Sequence, residues 1–299
     1  MANYILGIIS GVLAGLCNFS GKVLQKKAIN DTPEDTRNNE LVKSMVKNPL
    51  WLFGMILGIG ISTIFLFIAQ GTIGAALIPG LSASGLIVLA IGSTKILNEK
   101  LEKWEIIAII LLFIAILLIG LSELSIEADL SYFEDIGFSI RFSFFTIIGL
   151  AMWFILYFGG KKAEKFNSIY LAVGTAFPFV IGNLWLQPFI VSISEVFSGS
   201  SDGFVWFAFL IGIFMFAGAN VLGIGHSQHA LNSGNASIVV PIQQVPQQIA
   251  PIIIYYGIYQ FSSPHSYSLA TLIIGIIFIV VSAVILGKKQ AMLEKIKVD

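Results

Sequence analysis

The strongest chemical signal in the chain is a set of four glutamines within six residues of a strongly apolar segment. They lie in NASIVVPIQQVPQQIAPIIIYYG, residues 235–257, as Gln243, Gln244, Gln247 and Gln248. Gln243 with Gln247, and Gln244 with Gln248, are spaced i,i+4, so each pair shares one face of a helix. Amides in hydrocarbon need partners, which a wet cavity or neighbouring helices supply. We predict a substrate-lining cavity wall; the alternative is that the amides only join helices together.

Three prolines interrupt the same segment at five-residue intervals. Pro241, Pro246 and Pro251 each lack the backbone N–H that a helix needs and leave a carbonyl free. Such breaks are tolerated at membrane depth where other groups or a cavity satisfy the backbone. The prolines therefore favour the cavity over simple helix packing.

A plainer version of this pattern lies earlier in the chain, in IPGLSASG at residues 78–85. When Pro79 is aligned with Pro241, Ser82 falls opposite Gln244. We expect Pro79, Ser82 and Ser84 to line the same site. Close helix packing explains these small residues equally well.

Other polar side chains lie inside apolar segments. Asn18, Asn183 and Asn220 are candidates for the cavity wall, although a single buried amide is more often a structural hydrogen bond. His226 and His229 are spaced i,i+3 at the end of an apolar segment. They make a weak candidate for a metal pair or a proton relay, because no carboxylate accompanies them.

The patterns of catalysis are missing from the sequence. It contains no nucleophile–base pair, phosphate-binding loop or Cys/His cluster, and Cys17 is its single cysteine. Glu99, Glu105 and Lys100 lie in a connector and are typical of a solvated, charge-paired surface. We expect no enzyme activity, no cofactor and no nucleic-acid partner. The lack of carboxylates deep in the apolar segments favours an uncharged or amphiphilic substrate, while carbonyl oxygens also suit a hard cation.

The composition identifies an integral membrane protein. Of the 299 residues, 56% are hydrophobic and 11% are charged, whereas about 25% are charged in soluble proteins. Apolar runs of roughly 20 residues predict membrane helices. Nine such runs lie at about 3–24, 50–70, 74–95, 104–124, 138–159, 168–192, 203–226, 234–258 and 266–287. We expect an all-α fold with one transmembrane domain over residues 1–299.

The basic residues predict the orientation of these helices. With nine helices, all of the 17 Lys and Arg residues except Arg141 lie on one side of the membrane. The positive-inside rule places that side in the cytoplasm. The expected protein has its N-terminus outside, its C-terminus inside, and a multi-pass location in the plasma membrane.

The two proline-containing segments belong to a longer internal repeat. Each is followed by a short connector and an apolar Ile/Leu/Val helix. The expected topology gives the two copies opposite directions, which is typical of secondary transporters. We predict inverted repeats over residues 1–124 and 138–287, with four and five helices. The helix without a counterpart is expected to be the one at 168–192.

Short motifs in these repeats resemble known transporters. The connector NEKL at residues 98–101 and the apolar helix after it resemble the EamA-type repeat of the drug/metabolite transporter superfamily. Within that superfamily, nine helices and an outer N-terminus are similar to the NIPA-type magnesium transporters. The similar motifs are a lysine cluster that ends the first helix, NPLW at 48–51, ALIPG at 76–80 and IVVPI at 238–242. The glutamine pairs depart from the NIPA pattern.

These observations predict a secondary transporter that moves a small, uncharged or amphiphilic solute by alternating access. The resemblance implies an alternative, a NIPA-like magnesium transporter. A third hypothesis is a non-transporting scaffold or lipid-handling protein, which predicts tightly packed glutamines and no cavity. The expected partners are the substrate and the lipid bilayer, and a homodimer is compatible with this class.

Overall fold

The protein is built from helices. The computed structural model describes residues 2–73, 81–82, 84–124, 126, 129–163, 166–199 and 202–298. In chain order the helices are α1 (Ala2–Asn30), α2 (Glu34–Met45), α3 (Pro49–Met55), α4 (Ser62–Ile73), α5 (Gly85–Lys95), α6 (Lys103–Leu121), α7 (Ile136–Lys162), α8 (Asn167–Phe197), α9 (Gly203–Ser233), α10 (Ala236–Ile253) and α11 (Ser268–Val298). The predicted all-α fold is confirmed for these residues, which contain no strand.

Short segments of other helix types lie between or after these helices. The π-helical segment Ile56–Ile61 joins α3 to α4, and a second one, Ile254–Ile258, continues α10. A 3₁₀ turn, Leu130–Glu134, precedes α7. Single π-helical turns inside α-helices are frequent at functional sites, because the extra residue widens the turn and redirects side chains.

Eight of the helical segments in the described residues are long and apolar enough to cross a membrane. They correspond to all of the predicted spans except the third, and they identify a multi-pass membrane protein. The third predicted span, 74–95, is represented by the shorter apolar helix α5, and residues 74–80 lie outside the described part of the chain. The count of nine and the orientation stay predictions.

Capping side chains explain where two of the membrane helices begin. The side chain of Asn48 accepts hydrogen bonds from the N–H groups of Leu50 and Trp51 at the start of α3. Asp135 caps α7 by accepting from the N–H groups of Gly137 and Phe138. These two hydrogen bonds hold the pKa of the Asp135 carboxyl below its ordinary value.

Helices α1–α6 make up the first half of the protein and helices α7–α11 the second. The helices of the two halves pack in matching patterns. In the first half α1 packs against the α3–α4 helix and against α5; in the second half α8 packs against α9 and α10 in the same way. Helices α6 and α11, the last of each half, pack against each other. The matching contacts favour α1 as the counterpart of α8.

This pairing differs from the expectation that the helix at 168–192 has no counterpart. That segment is α8, and the contact pattern leaves α7 as the unmatched helix. In a nine-span topology α1 and α8 are spans one and six, so they run in opposite directions, as inverted repeats require. Helix α7 packs mainly on α8.

Glycines bring α1 very close to its neighbours. A Cβ atom on Gly15 would collide with the backbone of Ser82, and one on Gly85 would collide with the backbone of Gly15. A Cβ on Gly21 would lie 2.5 Å from the Cα of Gly58, in the π-helical segment. The small residues predicted to serve close packing do so at these positions.

Candidate functional site

A cavity of about 200 Å³ with a mixed polar and apolar lining lies between the two halves. Its walls come from α1 and the α3–α4 helix in the first half, and from α8 and α9 in the second. The polar lining side chains are those of Asn18, Lys22, Gln25, Ser62, Thr63, Asn220, Ser227 and Gln228. The interface between two halves is where transporters of inverted-repeat design bind their substrates.

Two asparagines, one from each half, line the cavity, and each donates its amide to a backbone carbonyl: Asn18 to a neighbouring helical segment and Asn220 within its own helix. The amide of Asn18 in α1 donates to the carbonyl oxygen of Gly58 at 3.0 Å. The amide of Asn220 in α9 donates to the carbonyl oxygen of Phe216 at 2.8 Å. No hydrogen bond from the described residues reaches the amide oxygen of either side chain. Each asparagine therefore uses its donor on the backbone and leaves an acceptor available at the cavity.

The carbonyl that Asn18 binds belongs to the π-helical segment Ile56–Ile61. Gly58 in this segment lines the cavity, as do Met55 and Ile59. The close approach of Gly21 to Gly54 and Gly58 brings the two helices into backbone contact. The position of Asn18 is therefore fixed by the junction of α1 with the irregular turn.

A chain of three buried side chains closes one wall of the cavity. The indole of Trp51 donates to the side-chain oxygen of Gln228 at 2.7 Å, and the Gln228 amide donates to the side-chain oxygen of Gln25 at 2.9 Å. All three residues are buried. This network joins α3 and α1 in the first half to α9 in the second, and it satisfies amides that hydrocarbon would leave unpaired.

Lys22 is the one ionisable side chain among the described lining residues. Its ammonium donates to the side-chain oxygen of Gln243 at 3.3 Å, and no described carboxylate forms an ion pair with it. A lysine near the end of an apolar helix ordinarily extends its ammonium to water. The structure instead directs it into the interior, because α10 presents the Gln243 amide beside it.

The glutamine segment contributes less of the wall than its sequence suggests. Gln243 is fully buried and contacts Lys22. Gln244, Gln247 and Gln248 are half-buried and are not among the described residues that line this cavity. The buried face of α10 consists largely of apolar residues, which pack into the hydrophobic core that both halves share. This face therefore lies against the core rather than along the cavity.

The plainer segment of the first half has a packing role where it is described. The Ser84 hydroxyl donates to the carbonyl oxygen of Leu81 at 2.6 Å and approaches that of Val12 at 3.4 Å. The backbone of Ser82 lies against Gly15. Neither serine is among the described residues lining the cavity, and Pro79 lies outside the described residues. The described part of this segment therefore packs on α1.

Asn183 and the two histidines also lie away from this site. Asn183 is exposed on α8, and it is not among the cavity residues that the structure describes. His226 is buried and stacks edge-on against Tyr157, which also contacts His229. In the described parts of the chain, no group of three or more His, Cys, Asp or Glu residues could hold a metal ion. The two histidines pack against Tyr157, and both ring nitrogens of His226 are buried without a hydrogen-bond partner among the described residues.

A second polar region lies at the junction of α9 and α10. The carboxylate of Glu99 accepts hydrogen bonds from the N–H groups of Ala236 and Ser237, at 2.7 and 2.9 Å. The Lys26 ammonium donates to the carbonyl oxygens of Leu231 and Gly234. The expectation that Glu99 lies on a solvated surface is therefore wrong, since this side chain is buried and caps α10. The positive Lys26 ammonium lies at the C-terminus of α9, which carries partial negative charge. The negative Glu99 carboxylate lies at the N-terminus of α10, which carries partial positive charge.

Lys22, Gln25 and Ser227 were not predicted to line a cavity, although a periodic signal groups them with Asn18 and Asn220, which were. Asn18, Lys22 and Gln25 are spaced i, i+4, i+7 along α1, which places them on one helix face. In α9, Asn220 and Ser227 are spaced i,i+7, which is also the spacing of Asn18 and Gln25 in α1. A search for polar side chains on one face of each apolar helix finds this stripe. A search for clustered amides finds the glutamines instead.

Comparison with known proteins agrees with this architecture. A family model described as magnesium transporter NIPA matches residues 2–292. Comparisons with curated proteins and with solved structures gave no match. The chain therefore belongs to the magnesium transporter NIPA family and is a multi-pass membrane transporter. The resemblance to the NIPA group is confirmed, and the one to the EamA-type repeat stays a prediction.

Proposed function

We propose, from this family membership, that the chain carries Mg²⁺ across the membrane through the cavity between its two halves. The observation that supports the proposal is that Asn18 and Asn220 both line the cavity with an amide oxygen available. Each amide oxygen at the cavity is free of hydrogen bonds from described residues, and the two side chains come from opposite halves. Oxygen atoms are the ligands that a hard divalent cation prefers.

The size of the cavity suits a cation that keeps its water. Mg²⁺ gives up its hydration shell reluctantly and often binds to proteins through its waters. One water occupies about 30 Å³ of liquid volume, so a cavity of about 200 Å³ has room for several. The hydroxyls of Thr63 and Ser227 add further oxygen atoms to the lining. The cation would thus be recognised through its waters by amide and hydroxyl oxygens.

Alternating access would follow from movement of one half against the other. Asn18 and Gln25 belong to the first half, whereas Asn220 and Gln228 belong to the second. Rocking of α1 against α9 would widen the cavity on one side of the membrane and close it on the other. The Gln25–Gln228 hydrogen bond crosses this interface, so it would open or slide during the cycle.

A second candidate function is transport of a small, uncharged or amphiphilic solute, which the sequence favoured. The observation that supports it is the positive charge of Lys22 in a lining where the structure describes no carboxylate, because this charge opposes the entry of a free cation. Neutral amides and hydroxyls recognise sugars or amino compounds as well as hydrated ions. A scaffold without transport function remains the third hypothesis, and it predicts no cavity where one is found.

The test is transport by the purified protein. The chain is reconstituted into liposomes that enclose a Mg²⁺-sensitive dye, with protein-free liposomes as the control. We expect uptake that saturates with Mg²⁺, and competition by cobalt(III) hexaammine, which resembles hydrated Mg²⁺ in shape but cannot exchange its ligands. Uptake equal to that of protein-free liposomes would overturn the Mg²⁺ proposal. Labelled polar solutes in the same vesicles then test the second candidate.

A further inference from the structure

We propose that Lys22 forms an anion subsite in the cavity, which binds a carboxylate or phosphate group that travels with Mg²⁺. This inference rests on the proposed function and extends it to the composition of the cargo. It starts from the positive charge of Lys22, which no described carboxylate neutralises. No described carboxylate lies within ion-pair distance of the Lys22 ammonium, although α1 places it well inside a membrane-crossing helix.

The protein supplies Lys22 with a neutral partner only. The Gln243 oxygen lies 3.3 Å from the ammonium, which is a long hydrogen bond for a charged donor. An ammonium has three donors, so two remain for groups in the cavity. A charged side chain at membrane depth ordinarily pairs with an opposite charge or faces water. The cavity that Lys22 lines is where such a pair can form.

The surroundings hold Lys22 in this position. Gln243 is fully buried, and its side-chain nitrogen has no partner among the described residues. The amide thus directs its oxygen at Lys22 although its own donors stay unpaired, which is costly in a buried site. The Gln243 oxygen therefore fixes one donor of Lys22, a residue of the cavity lining, while its own amide nitrogen stays unpaired among the described residues.

The anion also removes an electrostatic conflict in the proposed function. A dication that enters alone adds to the positive charge already present, and the two charges repel in a medium of low dielectric constant. A phosphate or carboxylate between them is attracted to both. Mg²⁺ would then face the amide oxygens of Asn18 and Asn220, and the anionic group would face Lys22.

The experiment measures Mg²⁺ uptake by the reconstituted protein from chloride, phosphate and citrate media at equal free Mg²⁺. Wild-type protein should take up Mg²⁺ faster with phosphate or citrate, and labelled anion should enter only when Mg²⁺ is present. Lys22→Met should raise the half-saturating anion concentration by roughly ten- to a hundred-fold, as expected for a lost charge-assisted hydrogen bond. Lys22→Arg should retain most of the effect.

The controls separate the outcomes. Lys95→Met removes an exposed lysine at the end of α5 and should leave the anion effect unchanged. Vesicles of phosphatidylcholine alone, compared with vesicles containing phosphatidylglycerol, show whether a lipid headgroup supplies the anionic group. Thermal unfolding with and without phosphate checks that Lys22→Met folds and measures anion binding directly.

Mg²⁺ uptake with equal rates in all media, unchanged in Lys22→Met, overturns the anion subsite and leaves the proposed function standing. Anion uptake without Mg²⁺ transport overturns the proposed function instead.

Discussion

The carboxylate of Glu99 accepts a hydrogen bond from the backbone N–H of Ala236 at 2.7 Å, although 137 residues separate them in the chain. Glu99 follows α5 in the first half, and Ala236 begins α10 in the second. The connector of one half thus caps the helix that carries the glutamines in the other. Because a helix N-terminus has unpaired N–H groups and positive character, a buried carboxylate stabilises it.

Removing this cap should weaken the junction between the halves. We expect Glu99→Ala to cost about 0.5–2 kcal/mol of stability, the range for lost helix caps, and to lower the midpoint of thermal unfolding in detergent. Glu99→Gln should cost less, because one acceptor oxygen remains. The matched control is Glu40→Ala, which removes an exposed carboxylate in a surface pair with Lys43. Equal midpoints for the Glu99→Ala and Glu40→Ala variants would show that the cap contributes nothing.

Two glycine substitutions should change stability with opposite signs. Gly21→Ala places a Cβ atom 2.5 Å from the Cα of Gly58, so α1 must move away from the π-helical segment. Overpacking of this kind costs about 1–3 kcal/mol. Gly218→Ala in α9 meets no atom within 4 Å and should stabilise by about 0.4–1 kcal/mol, since alanine restricts the unfolded chain. Thermal unfolding of both variants is the measurement, and a Gly21→Ala protein at least as stable as wild type would contradict the close contact.

The Trp51–Gln228–Gln25 chain should behave as one unit. Gln228→Leu leaves the Trp51 indole and the Gln25 oxygen buried without their partner, and each unsatisfied group costs about 1–3 kcal/mol. Gln25→Leu in the Gln228→Leu background should therefore cost much less than Gln25→Leu alone. A double-mutant cycle of unfolding midpoints measures the coupling, which we expect at about 0.5–3 kcal/mol. Additive effects would mean that the network is not a unit in the folded protein.

The sequence was informative about the class of fold because a membrane imposes simple rules. Helix length and apolar composition gave eight of the predicted spans at their observed places. Paired prolines and polar patches indicated two halves. What the sequence could not provide was the packing partner of each helix, since lipid-facing and protein-facing surfaces are both apolar. That is why the sequence alone did not show that α8, rather than α7, packs like α1.

The same reason explains which site residues were found. Asn18 and Asn220 were expected at a cavity and line one. Lys22 and Gln228 were missed because their roles depend on distant residues, Gln243 and Trp51, whose positions follow from the packing of other helices. Glu99 was misjudged for a related reason: a charged connector is usually solvated, and only the tertiary structure brings a helix N-terminus to it.

The measurement that tests the central claim most directly is Mg²⁺ uptake by liposomes that contain Asn220→Leu, Asn18→Leu or Asn183→Leu protein. Each variant replaces an asparagine of a membrane helix with leucine, but only Asn18 and Asn220 line the cavity. If the cavity is the transport site, the first two substitutions reduce uptake at least about tenfold, as for an interaction of about 1.4 kcal/mol, while Asn183→Leu retains it. Uptake that survives in Asn18→Leu and Asn220→Leu, with equal amounts of folded protein, would contradict the account.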